Sequence, residues 1–76
     1  MIAKYLFVGN RKFVLEEMIK QNCDIEKVLI IKGSYLQNDI NNLNLKYQLI
    51  DRKDQLIKYI HDIDFDILIS NGCPFI

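Results

Sequence analysis

The chain has 76 residues, with 10 Lys+Arg against 10 Asp+Glu, and half of it is hydrophobic. That profile excludes a disordered tail and allows one small globular domain with a thin core. Zero net charge argues against phosphate-backbone binding as the main role, because nucleic-acid readers are usually basic.

Tyr5-Leu6-Phe7-Val8 is a short unbroken apolar run that stops at Gly9-Asn10. Such a run suits a strand buried on both faces of a parallel sheet. Asn10 is a good helix N-cap, and helical periodicity follows at once. Val14, Leu15, Met18 and Ile19 share one face of that helix, with Glu16, Glu17 and Lys20 on the other. Asn22 ends it. Lys27-Val28-Leu29-Ile30-Ile31 is a second buried strand, closed by Lys32-Gly33-Ser34. The signal then weakens, because Asn38, Asn41, Asn42 and Asn44 favour turns. A short helix fits Tyr35–Ile40, and Lys46–Ile50 alternates as an edge strand would.

Asp51 is placed to cap the next helix, with Asp54 in the capping-box position. Leu56, Ile57, Ile60 and Ile63 form its inner stripe, and Lys53 and Lys58 face outward. The fourth strand is Phe65–Ser70, followed by Asn71-Gly72-Cys73-Pro74. The order β-α-β-α-β-α-β predicts right-handed crossovers and an α/β, three-layer, Rossmann-like parallel sheet with strand order 3-2-1-4. Doubly wound sheets usually run to five or six strands. Residues 1–76 therefore read as the first part of a larger domain, and a four-stranded piece is expected to have an exposed edge at strand four.

No apolar run approaches the roughly 18 residues that span a bilayer, and the opening lacks a signal-peptide pattern. A cytoplasmic protein without a membrane partner is the expectation. Cys23 and Cys73 lie far apart without C-x-x-C spacing, as reduced thiols would.

Ligands of open α/β sheets bind beyond the carboxyl ends of the strands, at the switch point. Here that edge holds Gly9-Asn10-Arg11-Lys12 after the first strand and Asn71–Ile76 after the fourth. Gly9 permits a tight turn, and Arg11 and Lys12 add positive charge beside a helix start. An ordinary strand-to-helix turn with two solvated basic residues fits the same segment. The loop is neither G-x-G-x-x-G nor a P-loop, and it lacks the acidic residues of a phosphoacceptor domain. His61, the only histidine, sits near the end of the third helix, where the negative helix terminus favours it. Asp62, Asp64 and Asp66 read as a polar turn rather than a metal site. No catalytic residue and no metal ligand is assigned.

Two segments, Leu6-Phe7-Val8-Gly9-Asn10-Arg11-Lys12-Phe13-Val14 and Asp64 through Ile76, carry a resemblance. In order and spacing they resemble the N-terminal domain of the 10-formyltetrahydrofolate-dependent formyltransferases. The first is similar to that family's opening strand and G-[TN]-x-x-F loop. The second is similar to its fourth strand and the loop that follows. The resemblance spans this chain and less than half of a family member. It implies transfer of a formyl group from 10-formyltetrahydrofolate to an amine, with an amino sugar on a nucleotide as the expected acceptor and methionyl-tRNA as the rival. By position, Cys73, Pro74, Phe75 and Ile76 would bind folate, largely through backbone groups. Pro74 departs from most members and lacks an N–H. Gly9, Asn10, Arg11 and Lys12 would approach the acceptor. The family's N-x-H pair and later Asp have no counterpart within residues 1–76, so this polypeptide alone is expected to bind rather than to turn over. The rest of such a domain would then be its protein partner. A non-catalytic α/β binding module and the start of an unrelated nucleotide-binding domain remain as competing readings.

Overall fold

The computed structural model describes residues 2–75. Its elements are β1 (Lys4–Gly9), α1 (Phe13–Lys20), β2 (Asp24–Ile31), α2 (Tyr35–Asp39), a 3-10 turn (Ile40–Asn42), β3 (Tyr47–Ile50), α3 (Lys53–Asp62) and β4 (Ile67–Asn71). The strands form one sheet in the order β3-β2-β1-β4, and every pairing is parallel. This is the α/β, Rossmann-like arrangement expected from the alternation of strands and helices.

Alternation along each strand divides the apolar runs between two layers. On one face Phe7, Val28 and Ile30 pack with Leu15 and Met18 of α1 and with Leu36 and Ile40. On the other, Leu6, Val8, Leu29 and Ile50 pack with Leu56 of α3 and with Cys73. Both faces of the central strands are covered, so β1 reads as four consecutive apolar residues rather than as an alternating strand. The chain crosses between layers after β3, which makes the gap between β1 and β4 the switch point.

Several local expectations are corrected. β2 begins at Asp24, three residues before the expected Lys27, because its polar opening still pairs with β1. The register slips between Tyr5 and Leu6, leaving Glu26 as the extra residue of a bulge. β4 begins at Ile67 rather than Phe65, and Phe65 instead packs beneath it against the α3-side cluster.

Asn10 does not cap α1. The cap position is Lys12, because both backbone groups of Asn10 are already bound, to Asn71 of β4 and Leu36 of α2. Val14 is 40% exposed. Leu15 and Met18 carry that helix face, with Ile19 half-buried at its margin. The helix ends in a Schellman arrangement. The Cys23 N–H donates to the Met18 carbonyl (3.0 Å) and the Asn22 N–H to Ile19 (3.0 Å), with Asn22 left-handed at φ 60°.

In α3 the cap is Arg52, not Asp51, and the capping-box acceptor is Gln55, not Asp54. Gln55 Oε1 accepts from the backbone N–H groups of Asp51 (2.7 Å) and Arg52 (3.1 Å). Ile57 is 46% exposed, while Leu56, Ile60 and Ile63 face the core with Tyr59 beside them. Leu56, Ile60 and Ile63 follow the i, i+4, i+7 rule, and Ile57 lies about 100° around the helix from Leu56.

Asp64 and Asp66 clasp β1. The Lys4 N–H donates to Asp66 Oδ2 (2.8 Å), the Asp66 N–H to the Lys4 carbonyl (2.8 Å), and Lys4 Nζ meets Asp64 Oδ2 at 3.2 Å. Cys23 and Cys73 are free thiols, half-buried and buried respectively. No helix among the described residues is long and apolar enough to cross a membrane.

Candidate functional site

Parallel pairing of β1 with β4 brings Gly9 opposite Asn71 at the carboxyl edge. The loops that follow are in direct contact. The Asn10 N–H donates to the Asn71 carbonyl at 3.1 Å, extending the ladder by one bond beyond the strands. A β-carbon on Gly9 would collide with the Asn71 carbonyl oxygen, so only glycine lets the two backbones approach this closely. Gly72 has φ +78°, and a β-carbon there would strike the amide oxygen of Asn10.

Asn10 also reaches the opposite way. Its carbonyl accepts from the Leu36 N–H at 3.3 Å, which ties the β1–α1 loop to the first turn of α2. One residue thus joins the loop after β1 to the first turn of α2 and to the end of β4. Among the described residues its side-chain Oδ1, which is buried, has no hydrogen-bond donor, and neither does the buried hydroxyl of Ser34, just before α2. Two unpaired polar atoms at one sheet edge leave hydrogen-bonding capacity beyond what the fold itself uses.

The expected acceptor-side residues sit together. Gly9 is buried, Asn10 and Lys12 are half-buried, and Arg11 is exposed. Lys12 Nζ lies 3.8 Å from Asp39 Oδ2 of α2. Among the described residues Arg11 forms no ion pair. The expected folate-side residues behave differently from one another. Cys73 turns into the core and Phe75 packs half-buried against the same cluster, so both offer mainly backbone to a ligand. Pro74 is exposed, and Ile76 lies outside the described residues.

The structure adds residues that sequence reasoning left out. A cleft of about 410 Å³ lies between the β1–α1 loop and α2, lined by Arg11, Lys12, Phe13, Tyr35 and Asp39. Phe13, Tyr35 and Asp39 belong to it because β2 lies beside β1, which sets the first residues of α1 and α2 side by side. The available signal was the pair of aromatic residues at the predicted helix starts. His61 stands exposed on α3, which packs on the opposite layer from α1 and α2. Compared with protein families, curated proteins and solved structures, the chain matches none.

Proposed function

We propose that residues 1–76 form the ligand-binding edge of a 10-formyltetrahydrofolate-dependent formyltransferase acting on a small amine. The observation that carries this reading is the Asn10–Asn71 contact, 3.1 Å between backbone nitrogen and oxygen. The two loops that the resemblance assigns to acceptor and donor thereby form one surface. A formyl donor lying along Gly72–Phe75 and an amine approaching across Gly9–Lys12 would meet at the β1–β4 seam. There the amine nitrogen would attack the formyl carbon to give a tetrahedral oxyanion, which would collapse with cleavage of the bond between the formyl carbon and the folate nitrogen, the amine's proton passing to that nitrogen so that tetrahydrofolate leaves. Holding both reactants in place is the contribution asked of this edge. The Asn, His and Asp of the resemblance, which would assist the oxyanion and the proton transfers, are not among these residues.

An amino sugar on a nucleotide is the acceptor we favour over methionyl-tRNA, because the chain has zero net charge and tRNA binders are basic. The test is titration of the isotopically labelled chain with 5-formyltetrahydrofolate, a stable analogue of the donor. Amide signals from Asn71 to Phe75 should move together with those of Gly9 and Asn10. Absence of binding at millimolar ligand would sink the proposal and leave a binding module of another kind.

A further inference from the structure

β3 ends the sheet, and among the described residues its outer edge is unpaired. The carbonyls of Lys46 and Ile50 turn inward, accepting from the N–H groups of Val28 (2.9 Å) and Lys32 (2.9 Å). Alternation along the strand then turns the N–H and carbonyl of Tyr47 and of Leu49 outward, with Gln48 midway between them. Exposed edges are commonly blunted by a charge, a proline or a bulge. Tyr47-Gln48-Leu49-Ile50 carries none of these. In the order β3-β2-β1-β4, β3 also stays at the end of the sheet when further strands are added beyond β4.

An edge whose outward groups lie evenly about one residue is complementary to itself under a twofold axis. We infer that β3 pairs antiparallel with β3 of a second copy of this chain, with the axis at Gln48. Tyr47 then lies opposite Leu49 of the copy, and the two exchange both backbone hydrogen bonds. Symmetry repeats the exchange on the other side of the axis. Tyr47 and Leu49 lie beside Val28 and Ile30 on the α2-side face, so each aromatic ring gains an aliphatic cross-strand neighbour. Gln48 meets its own copy on the opposite face, where one side-chain amide donates to the other.

The same register supplies charge complementarity. Asp51 follows β3 directly, is exposed, and forms no ion pair among the described residues. In the copy it falls opposite Leu45, at a hollow of about 330 Å³ lined by Asn41, Asn44, Lys46 and Tyr47. The Tyr47 hydroxyl donates to Asn41 Oδ1 (3.4 Å), which leaves the Asn41 amide N–H groups to meet that carboxylate. Lys46, exposed and without an ion pair among the described residues, adds the opposite charge. Sliding the copy one pleat further sets Lys46 against Arg52, and Tyr47 against Asp51, whose N–H already donates to Gln55 Oε1 (2.7 Å). Zero net charge adds no overall repulsion between copies. With four residues in β3 the contact is short, so the dimer is weak and reversible. The pairing is independent of formyl transfer.

Sedimentation of the full chain from about 10 µM to about 1 mM should show monomer passing reversibly to dimer and no further. Hydrogen exchange at the Tyr47 and Leu49 amides should slow as the concentration rises. Gln48→Lys and Gln48→Glu each set like charges against one another at the axis and should weaken association about ten-fold or more. Mixed in equal amounts, the two variants should dimerise at least as tightly as the unaltered chain. Gln48 is exposed, so neither change threatens the fold. Asp51→Asn should weaken the dimer about three-fold. Ser70→Lys, at an exposed residue of β4, should leave it unchanged. A chain that stays monomeric at about 1 mM would overturn the pairing. Association that survives both Gln48 variants, or variants that fail to recover on mixing, would overturn the axis. Assemblies larger than a dimer, or loss of association in Ser70→Lys, would move the contact to β4 and overturn the inference as well.

Discussion

The amide oxygen of Asn10 occupies the space that a β-carbon on Gly72 would need. The loop after β4 closes against the loop after β1 with no side chain at residue 72 to displace Asn10. Gly72→Ala meets two penalties: that collision, and a left-handed backbone at φ +78° costing roughly 1–2 kcal/mol. Thermal melting should show a drop of about 10 °C, from a total near 2 kcal/mol at this size. Measured in an Asn10→Ala background, the cost of Gly72→Ala should shrink to the backbone part alone. Equal costs in both backgrounds would show that Asn10 is not the obstacle.

The helix α3 separates two neighbouring apolar residues. Leu56 is 2% exposed and Ile57 is 46% exposed. Leu56→Ala should cost roughly 2–5 kcal/mol, because it leaves a cavity in the core. A chain of this length has a total stability of about 4–11 kcal/mol, so the variant should melt at much lower temperature or populate the unfolded state. Ile57→Ala should cost less than about 1 kcal/mol. Urea denaturation of the two variants gives both numbers, and similar losses would contradict the described face of α3.

At the start of α3 the residue that matters is Gln55. It accepts from two backbone N–H groups that the helix cannot satisfy. Gln55→Ala should destabilise by about 1 kcal/mol, as loss of a cap does. Asp54→Ala should change stability by less than about 0.5 kcal/mol, since its side chain makes only an exposed pair with Arg52. A reversal of that order in denaturant midpoints would restore the acid-based capping box.

The clasp between Lys4 and Asp64 has a pH signature. The hydrogen bond that Lys4 Nζ donates to the Asp64 carboxylate, followed by that carboxylate's charge, raises the Lys4 amine above its ordinary 10.5. A group raised on folding adds stability that is fully present below its unfolded pKa and is lost as pH rises through the folded one. The contribution is therefore fully present below 10.5 and is lost as pH rises past it through the higher folded value. Both side chains are substantially exposed, so the effect is small and salt-sensitive. Melting curves at about pH 8 and about pH 11.5 should show the wild type losing its margin over Asp64→Asn in the alkaline sample. A margin that persists there would remove the clasp from the stability of β1.

Much of the fold was legible because burial on two faces writes itself as unbroken apolar runs. Leu6-Phe7-Val8 and Val28-Leu29-Ile30 could only be central strands, and the helical stretches between them required parallel crossovers. The loops after β1 and β4 were placeable as neighbours for the same reason. Helix starts were less legible. Asn10 has the chemistry of a cap, yet its N–H and carbonyl are bound by Asn71 and Leu36, which lie 61 and 26 positions away. Propensity is local, and those partners are not.

The class of fold, the strand order and the segments at the carboxyl edge follow from residues read along the chain. Periodicity and glycine placement depend only on neighbours along the chain. That Phe13 and Tyr35 share a cleft, that Cys73 turns inward, and that Leu56 rather than Ile57 is buried arise only when the sheet is assembled. Those outcomes depend on which strands lie side by side and on how far each helix rotates to fill its layer. Close packing across the sheet, rather than any residue's own preference, fixes that rotation.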